Sequence, residues 1–197
     1  RYIGDYQQFL FELEGMYQFG QWSNQNLSAG AVASGIGYQF ASLPMNPQLW
    51  VRYDYASGDD NLAGDGTRNT FNQLFPFGHY YLGFLDRVGR QNINDFNVQL
   101  TVFPQPWFTA IVQYHKYWLA NDRDFLYNAA GAPTRRSPTG RAGSDVGDEL
   151  DLRFNAHVSR HQDFLFGYSK MFAGDFIKKT GANVSPDLLY LQYVFRF

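Results

Sequence analysis

Apolar and polar residues alternate with a period of two along most of this chain. In 149–158, Leu150, Leu152, Phe154, Ala156 and Val158 share one parity, and Glu149, Asp151, Arg153, Asn155 and His157 share the other. Successive side chains of a strand point to opposite faces of a sheet, so the pattern predicts a strand with one greasy and one charged face. Residues 96–102 repeat it, with Phe96, Val98, Leu100 and Val102 opposed to Asn97, Gln99 and Thr101, a polar row that Asp95 begins. Eight such stretches stand out, at roughly 6–20, 28–41, 47–57, 93–103, 107–119, 148–159, 163–173 and 187–197. Globular strands usually run about 5–6 residues, whereas a tilted strand crossing a bilayer needs about 9–11. All eight reach the second length.

The connections sort into two kinds. "SLPMNP" at 42–47, "PQP" at 104–106 and "SRHQD" at 159–163 are tight, and they alternate with longer links at 21–26, 58–92, 121–147 and 177–186. Outer-membrane barrels show this asymmetry, with short periplasmic turns, longer external loops and an even strand number that puts both termini on the periplasmic side. Aromatic residues make up 19% of the chain, and Trp107 and Trp118 bracket one stretch at a spacing close to the two interfacial girdles of such a barrel. On that register Val112 and Tyr114 face lipid, Gln113 and His115 face the lumen, and Lys116 meets the lipid face near the rim, where its stem can snorkel. Lys170 raises the same question among Phe164, Phe166 and Tyr168. The closing "LLYLQYVFRF" places Leu189, Leu191, Tyr193, Phe195 and Phe197 on one face. A terminal strand of this kind looks like the address by which outer-membrane barrels reach their assembly machinery, with Phe197 as its last letter.

Composition narrows the class further. Mean hydropathy is -0.39 and no apolar run is long enough for a membrane-spanning helix. Residues 1–11 already alternate, without the pattern of a secretory leader, so the chain reads as mature or as a fragment. The absence of cysteine excludes disulfides and thiolate metal sites, and a net charge of -2 offers nothing to nucleic acid.

"RYDYASGDDN" from Arg52, "GDGTRNTFNQLFPFGHYYLGFLDRVGRQNI" from Gly64, "VQYHKYWLANDRDFLYNAAG" from Val112 and "AGSDVGDELDL" from Ala142 resemble, in order, the bacterial alginate export family of outer-membrane proteins. The resemblance runs from about Arg52 to Phe197. It implies an outer-membrane porin that passes an anionic polyuronate outward by passive diffusion. The fold expected is all-β, a single antiparallel transmembrane barrel domain over 1–197, with about eight strands visible as the C-terminal half of a barrel of about 16–18 strands. An outer-membrane barrel carrying another small solute, or serving a mainly structural role, is the alternative. A barrel closed at eight strands is nearly filled by its own side chains and passes no polymer.

The polar faces nominate the lumen. They supply Glu12, Glu14, Arg52, Asp54, Asp95, Gln99, His115, Glu149, Asp151, Arg153 and Arg196; a guanidinium fork suits a carboxylate ligand, and Arg52 and Arg153 lead because each sits mid-strand beside a carboxylate two positions away on its own face. Acidic residues outnumber arginines here, and charge pairs bracing the wall are the plainer explanation of any one of them. In the longest loop, "LFPFGHYYLGF" at 74–84 is too apolar to stay free and is expected to fold inward or onto the rim, which makes His79, Arg87 and Arg90 gate candidates. "SGDDNLAGDG" sets Asp59, Asp60 and Asp65 among glycines as a weak Ca²⁺ candidate, the sole cofactor considered. The basic "TRRSPTGR" at 134–141 suits an anionic polymer as well as plain solvent. No GxSxG, GxGxxG, P-loop, HExxH or CxxC pattern occurs, so catalysis and a driven cycle are not expected. The partners expected are the lipid bilayer, the barrel assembly machinery and an anionic polysaccharide or small solute.

Overall fold

A computed structural model describes residues 1–62, 64 and 66–197. The strands are β1 (Tyr2–Tyr6), β2 (Phe9–Trp22), β3 (Gln25–Gln39), β4 (Gln48–Ala56), β5 (Thr67–Arg68), β6 (Ile93–Gln105), β7 (Phe108–Leu119), β8 (Phe125–Tyr127), β9 (Pro133–Arg136), β10 (Asp145–Ser159), β11 (Gln162–Ala173) and β12 (Asp187–Phe195), with one helix, α1 (Asp175–Lys179). All eight long strands coincide with the alternating stretches. The first differs at its start, because Gln7 takes a left-handed turn (φ 56°) that cuts off β1 as a separate short strand.

The main sheet runs β1-β2-β3-β4-β6-β7-β10-β11-β12, each strand antiparallel to its neighbour, while β5 adds a parallel rung to β3 and β8–β9 form a separate hairpin. Neighbours in sequence are neighbours in space. Among the described residues β1 and β12 do not pair with each other, so the sheet is open where a closed barrel was expected. Alternation encodes the pairing of consecutive strands, whereas closure requires the two edge strands to meet with a consistent tilt and shear.

The two faces are inverted relative to a soluble sheet. Asp95, Asn97, His115, Glu149, Asp151 and Ser169 have no exposed surface, while Phe164, Phe166, Phe172, Leu189, Leu191 and Tyr193 lie exposed on the opposite face. Lys116 does lie on that apolar face, and its ammonium is held by Asp145 at 2.7 Å and Asp148 at 3.5 Å. Lys170 is 3.8 Å from Asp187. Rings gather at the short-turn end, where Phe9, Tyr38 and Phe40 meet edge to face in series at 5.0 and 4.8 Å. Trp107 sits beyond the start of β7 in the tight turn and is about half exposed.

An apolar core caps the polar face at the other end, built from Ala29, Ala31, Phe71, Val88, Ile93, Leu119, Val146 and Phe176. The long loops 57–92, 120–144 and 174–186 supply the cover. One connection departs from the expected alternation: β2 and β3 are joined by Ser23 and Asn24 alone, with Ser23 at φ 54°, whereas the β3–β4 link spans residues 40–47. The segment expected as a plain loop before β12 contains α1, whose Phe176 and Ile177 are buried and whose Lys179 pairs with Asp175 at 2.8 Å.

Candidate functional site

The covered face of the sheet is a grid set by strand register. Asp54 lies opposite Asp95, and Asp95 opposite Tyr117; one step further Arg52, Asn97, His115 and Glu149 form the next row. Because every second residue on each strand points inward, polar residues at alternate positions on β4, β6, β7 and β10 necessarily meet.

Their contacts are specific. His115 Nδ1 lies 2.8 Å from Asp95 Oδ2, which also accepts a hydrogen bond from Asn97 at 3.1 Å. Arg153 Nη2 donates to Gln113 Oε1 at 2.8 Å, and Gln113 donates to Asn97 Oδ1 at 3.4 Å. Arg52 donates to Gln99 at 3.4 Å, approaches Glu12 at 3.9 Å and lies 4.3 Å above the Trp50 ring. Both arginines find their hydrogen-bond partners across strands and not in the carboxylate two residues away on their own strand. Asp54 instead receives Arg90 at 2.6 Å. Between Arg52, Asp54, Gln99, Tyr80 and Arg90 lies a cavity of about 410 Å³. Next to Arg153, both oxygens of Asp151, Oε2 of Glu149, Oγ of Ser169 and Oη of Tyr190 are buried with no hydrogen-bond partner in the protein, though Asp151 Oδ2 lies 3.9 Å from His115 Nε2. Buried polar groups of this kind ordinarily border water or a ligand.

The longest loop divides into two parts. Leu74, Phe75, Phe77 and Tyr80 stay exposed, while Tyr81 to Arg90 crosses the covered face. Leu85 N–H donates to Glu149 Oε1 at 2.9 Å. The Phe84 ring lies 5.4 Å from Tyr190 at 6° and takes the Arg153 guanidinium 4.6 Å away. Gly83 (φ +86°) rests so close that a Cβ would stand 2.5 Å from both Glu149 Oε1 and Tyr117 Oη.

Of the gate candidates, Arg90 joins this contact. His79 is exposed, with its Nδ1 3.1 Å from Phe84 O, and Arg87 is exposed near α1. Arg196 shares the parity of the covered face but sits at the short-turn end, exposed and paired with Asp163. Asp59 is buried, and its carboxylate accepts the N–H groups of Asn61 at 2.8 Å and Asn69 at 3.0 Å. Asp60 is exposed, and Asp65 lies outside the described residues. Among the described residues no three acidic, His or Cys side chains converge on one metal position.

Phe84, Tyr190, Tyr117 and Ser169 were not singled out from the sequence. Tyr117 and Ser169 continue the alternation of their strands and were legible there; the inward reach of Phe84 leaves no periodic trace.

The open antiparallel sheet thus hides charge on one face and shows aliphatic and aromatic side chains on the other, the reverse of a sheet packed in water. The chain belongs to the alginate export family, whose model matches residues 1–190. That is a transport family and not one of enzymes. No curated protein matches the chain.

Proposed function

We propose that the sheet forms part of the wall of an outer-membrane β-barrel, folded as one domain, through which an anionic polysaccharide of the polyuronate type passes by diffusion. The observation that carries this reading is the inversion of the faces. In water, exposed Phe164, Phe166, Leu189 and Leu191 would leave apolar surface unburied while Asp95, Glu149 and Asp151 take up the covered face; in a bilayer the apolar face meets hydrocarbon and the polar face turns away from it. Lys116 and Lys170 fit because each is neutralised by aspartate near the loop end of its strand. Arg52 and Arg153 supply guanidinium groups to a carboxylated chain, while Gln99, Gln113 and the hydroxyls offer neutral contacts that let it move on. Asp54, Asp95 and Glu149 brace the wall and anchor the Tyr81–Arg90 segment, which narrows the passage.

Planar-bilayer conductance of the full chain refolded in detergent tests the proposal. Open channels that a polyuronate blocks and an uncharged polysaccharide of equal length does not would support it. Open channels that a polyuronate leaves unblocked, or that both polymers block alike, would sink it.

A further inference from the structure

A second cavity, of about 830 Å³, opens at the loop end between the tip of β2, β5 and the β8–β9 hairpin. It is separate from the Arg52–Arg90 chamber and is built differently. Rings and guanidinium groups alternate on its wall: Arg68 lies 5.5 Å from the Trp22 ring centroid and Arg136 5.3 Å from that of Phe125. Gln91 also borders it, 6% exposed, with an Oε1 that has no protein partner.

The wall is firmly set. Asp124, with no exposed surface, accepts Thr70 Oγ1 at 2.6 Å and Asp59 N–H at 2.9 Å on one oxygen, and Phe125 N–H at 2.6 Å and Tyr127 Oη at 3.0 Å on the other. Burial, reinforced by the Asp124 charge, pushes the Tyr127 phenol above its ordinary pKa, so it stays a donor. Arg136 is aimed by its Nε, which donates to Arg123 O at 2.7 Å. One buried carboxylate thus ties Asp59, Thr70 and β8 together, and preorganised walls lower the ordering cost of binding.

We propose that this cavity is a mouth site for carboxylated sugar rings. A pyranose presents C–H groups on its two faces, hydroxyls on its rim and, in a uronate, one carboxylate. Trp22 and Phe125 match the faces, Gln91 the hydroxyls, and the Arg68 and Arg136 forks the carboxylate. The volume exceeds one ring, which suits a short run of polymer. The site deepens the transport reading, resting on it for the presence of an acidic polymer at this end, and gives the polymer a holding point outside the Tyr81–Arg90 segment.

The test is calorimetric titration of the full refolded chain with a uronate trimer and with a neutral hexose trimer, for the native sequence, Arg68→Gln, Arg136→Gln and the double variant, folding being checked by heat-modifiable mobility. Each single change is expected to weaken uronate binding about tenfold, as loss of one charge-assisted hydrogen-bond pair does, with no binding of the neutral trimer. Unchanged affinity in the double variant, or equal binding of the neutral trimer, overturns the proposal. So does trimer binding that survives the double variant and vanishes in Arg52→Gln/Arg153→Gln; that outcome places the sugar at mid-sheet and leaves the transport reading intact. Trimer binding at the mouth without polymer block of the wild-type channel would support the site while removing the transport reading.

Discussion

At the scale of single residues, the covered face holds its charges by partnership, and each partnership makes a prediction. Arg90 and Asp54 are both largely buried and 2.6 Å apart. Removing one partner of such a pair leaves an uncompensated charge, so Arg90→Met should destabilise the folded protein by about 3 kcal/mol, while Arg90→Met with Asp54→Asn should recover much of the loss. Thermal melts of the refolded single and double variants read the difference, and equal losses would show that the pair is not coupled. Gly83 makes a geometric prediction. Alanine there must accept φ +86° and place its Cβ 2.5 Å from Glu149 Oε1 and Tyr117 Oη, so the Gly83–Leu85 contact should open. Single-channel conductance is expected to rise in Gly83→Ala with the β spectrum unchanged; a native conductance would mean that the segment does not narrow the passage.

Elements follow the alternation faithfully and the connections do not. β4, β6, β7, β10 and β11 lie where period two placed them, because which face a residue takes is a local property of an extended chain. The inward path of Tyr81–Arg90 depends instead on contacts with β7, β10 and β12, to which local sequence carries no pointer; high apolarity at 74–84 signalled that something there is buried but not which part. The segment divides, with Leu74, Phe75, Phe77 and Tyr80 exposed, Leu82 buried and Leu85 packed against the core. Likewise Arg52 and Arg153 were legible as inward residues, whereas their partners Glu12, Gln99 and Gln113 sit on other strands, where register and not spacing along one strand brings them near. The apolar face supplies the test at this scale. Leu152 is in the middle of β10, opposite Val112 and Tyr168, so Leu152→Arg should cost about 2–4 kcal/mol in a bilayer by placing a charge near its midplane. Asn155→Arg, three residues further along and on the other face, should cost far less. Urea unfolding in lipid vesicles compares them, and equal costs would deny that the Leu152 face meets lipid.

For the molecule as a whole, the proposed transport makes the balance of fixed charge on the covered face the expected determinant of which ions pass. Arg52, Arg90 and Arg153 stand against Glu12, Glu14, Asp54, Asp95, Glu149 and Asp151, yet several of these acids are already held: Asp54 by Arg90, Asp95 by His115 and Asn97, and Glu149 by the Leu85 N–H. A charge spent on a buried partner contributes little field to the passage, whereas Arg153 engages a neutral amide and a ring, and Arg52 a neutral amide, a ring and only a loose Glu12 contact at 3.9 Å. The selectivity is therefore expected to follow the two arginines and not the crude count. Arg52→Glu with Arg153→Glu should shift the reversal potential under a salt gradient toward cation preference, and the shift should shrink as ionic strength shortens the reach of the fixed charges. A reversal potential that does not move would make both arginines braces of the wall and transfer the recognition of an acidic polymer to the mouth cavity lined by Arg68 and Arg136.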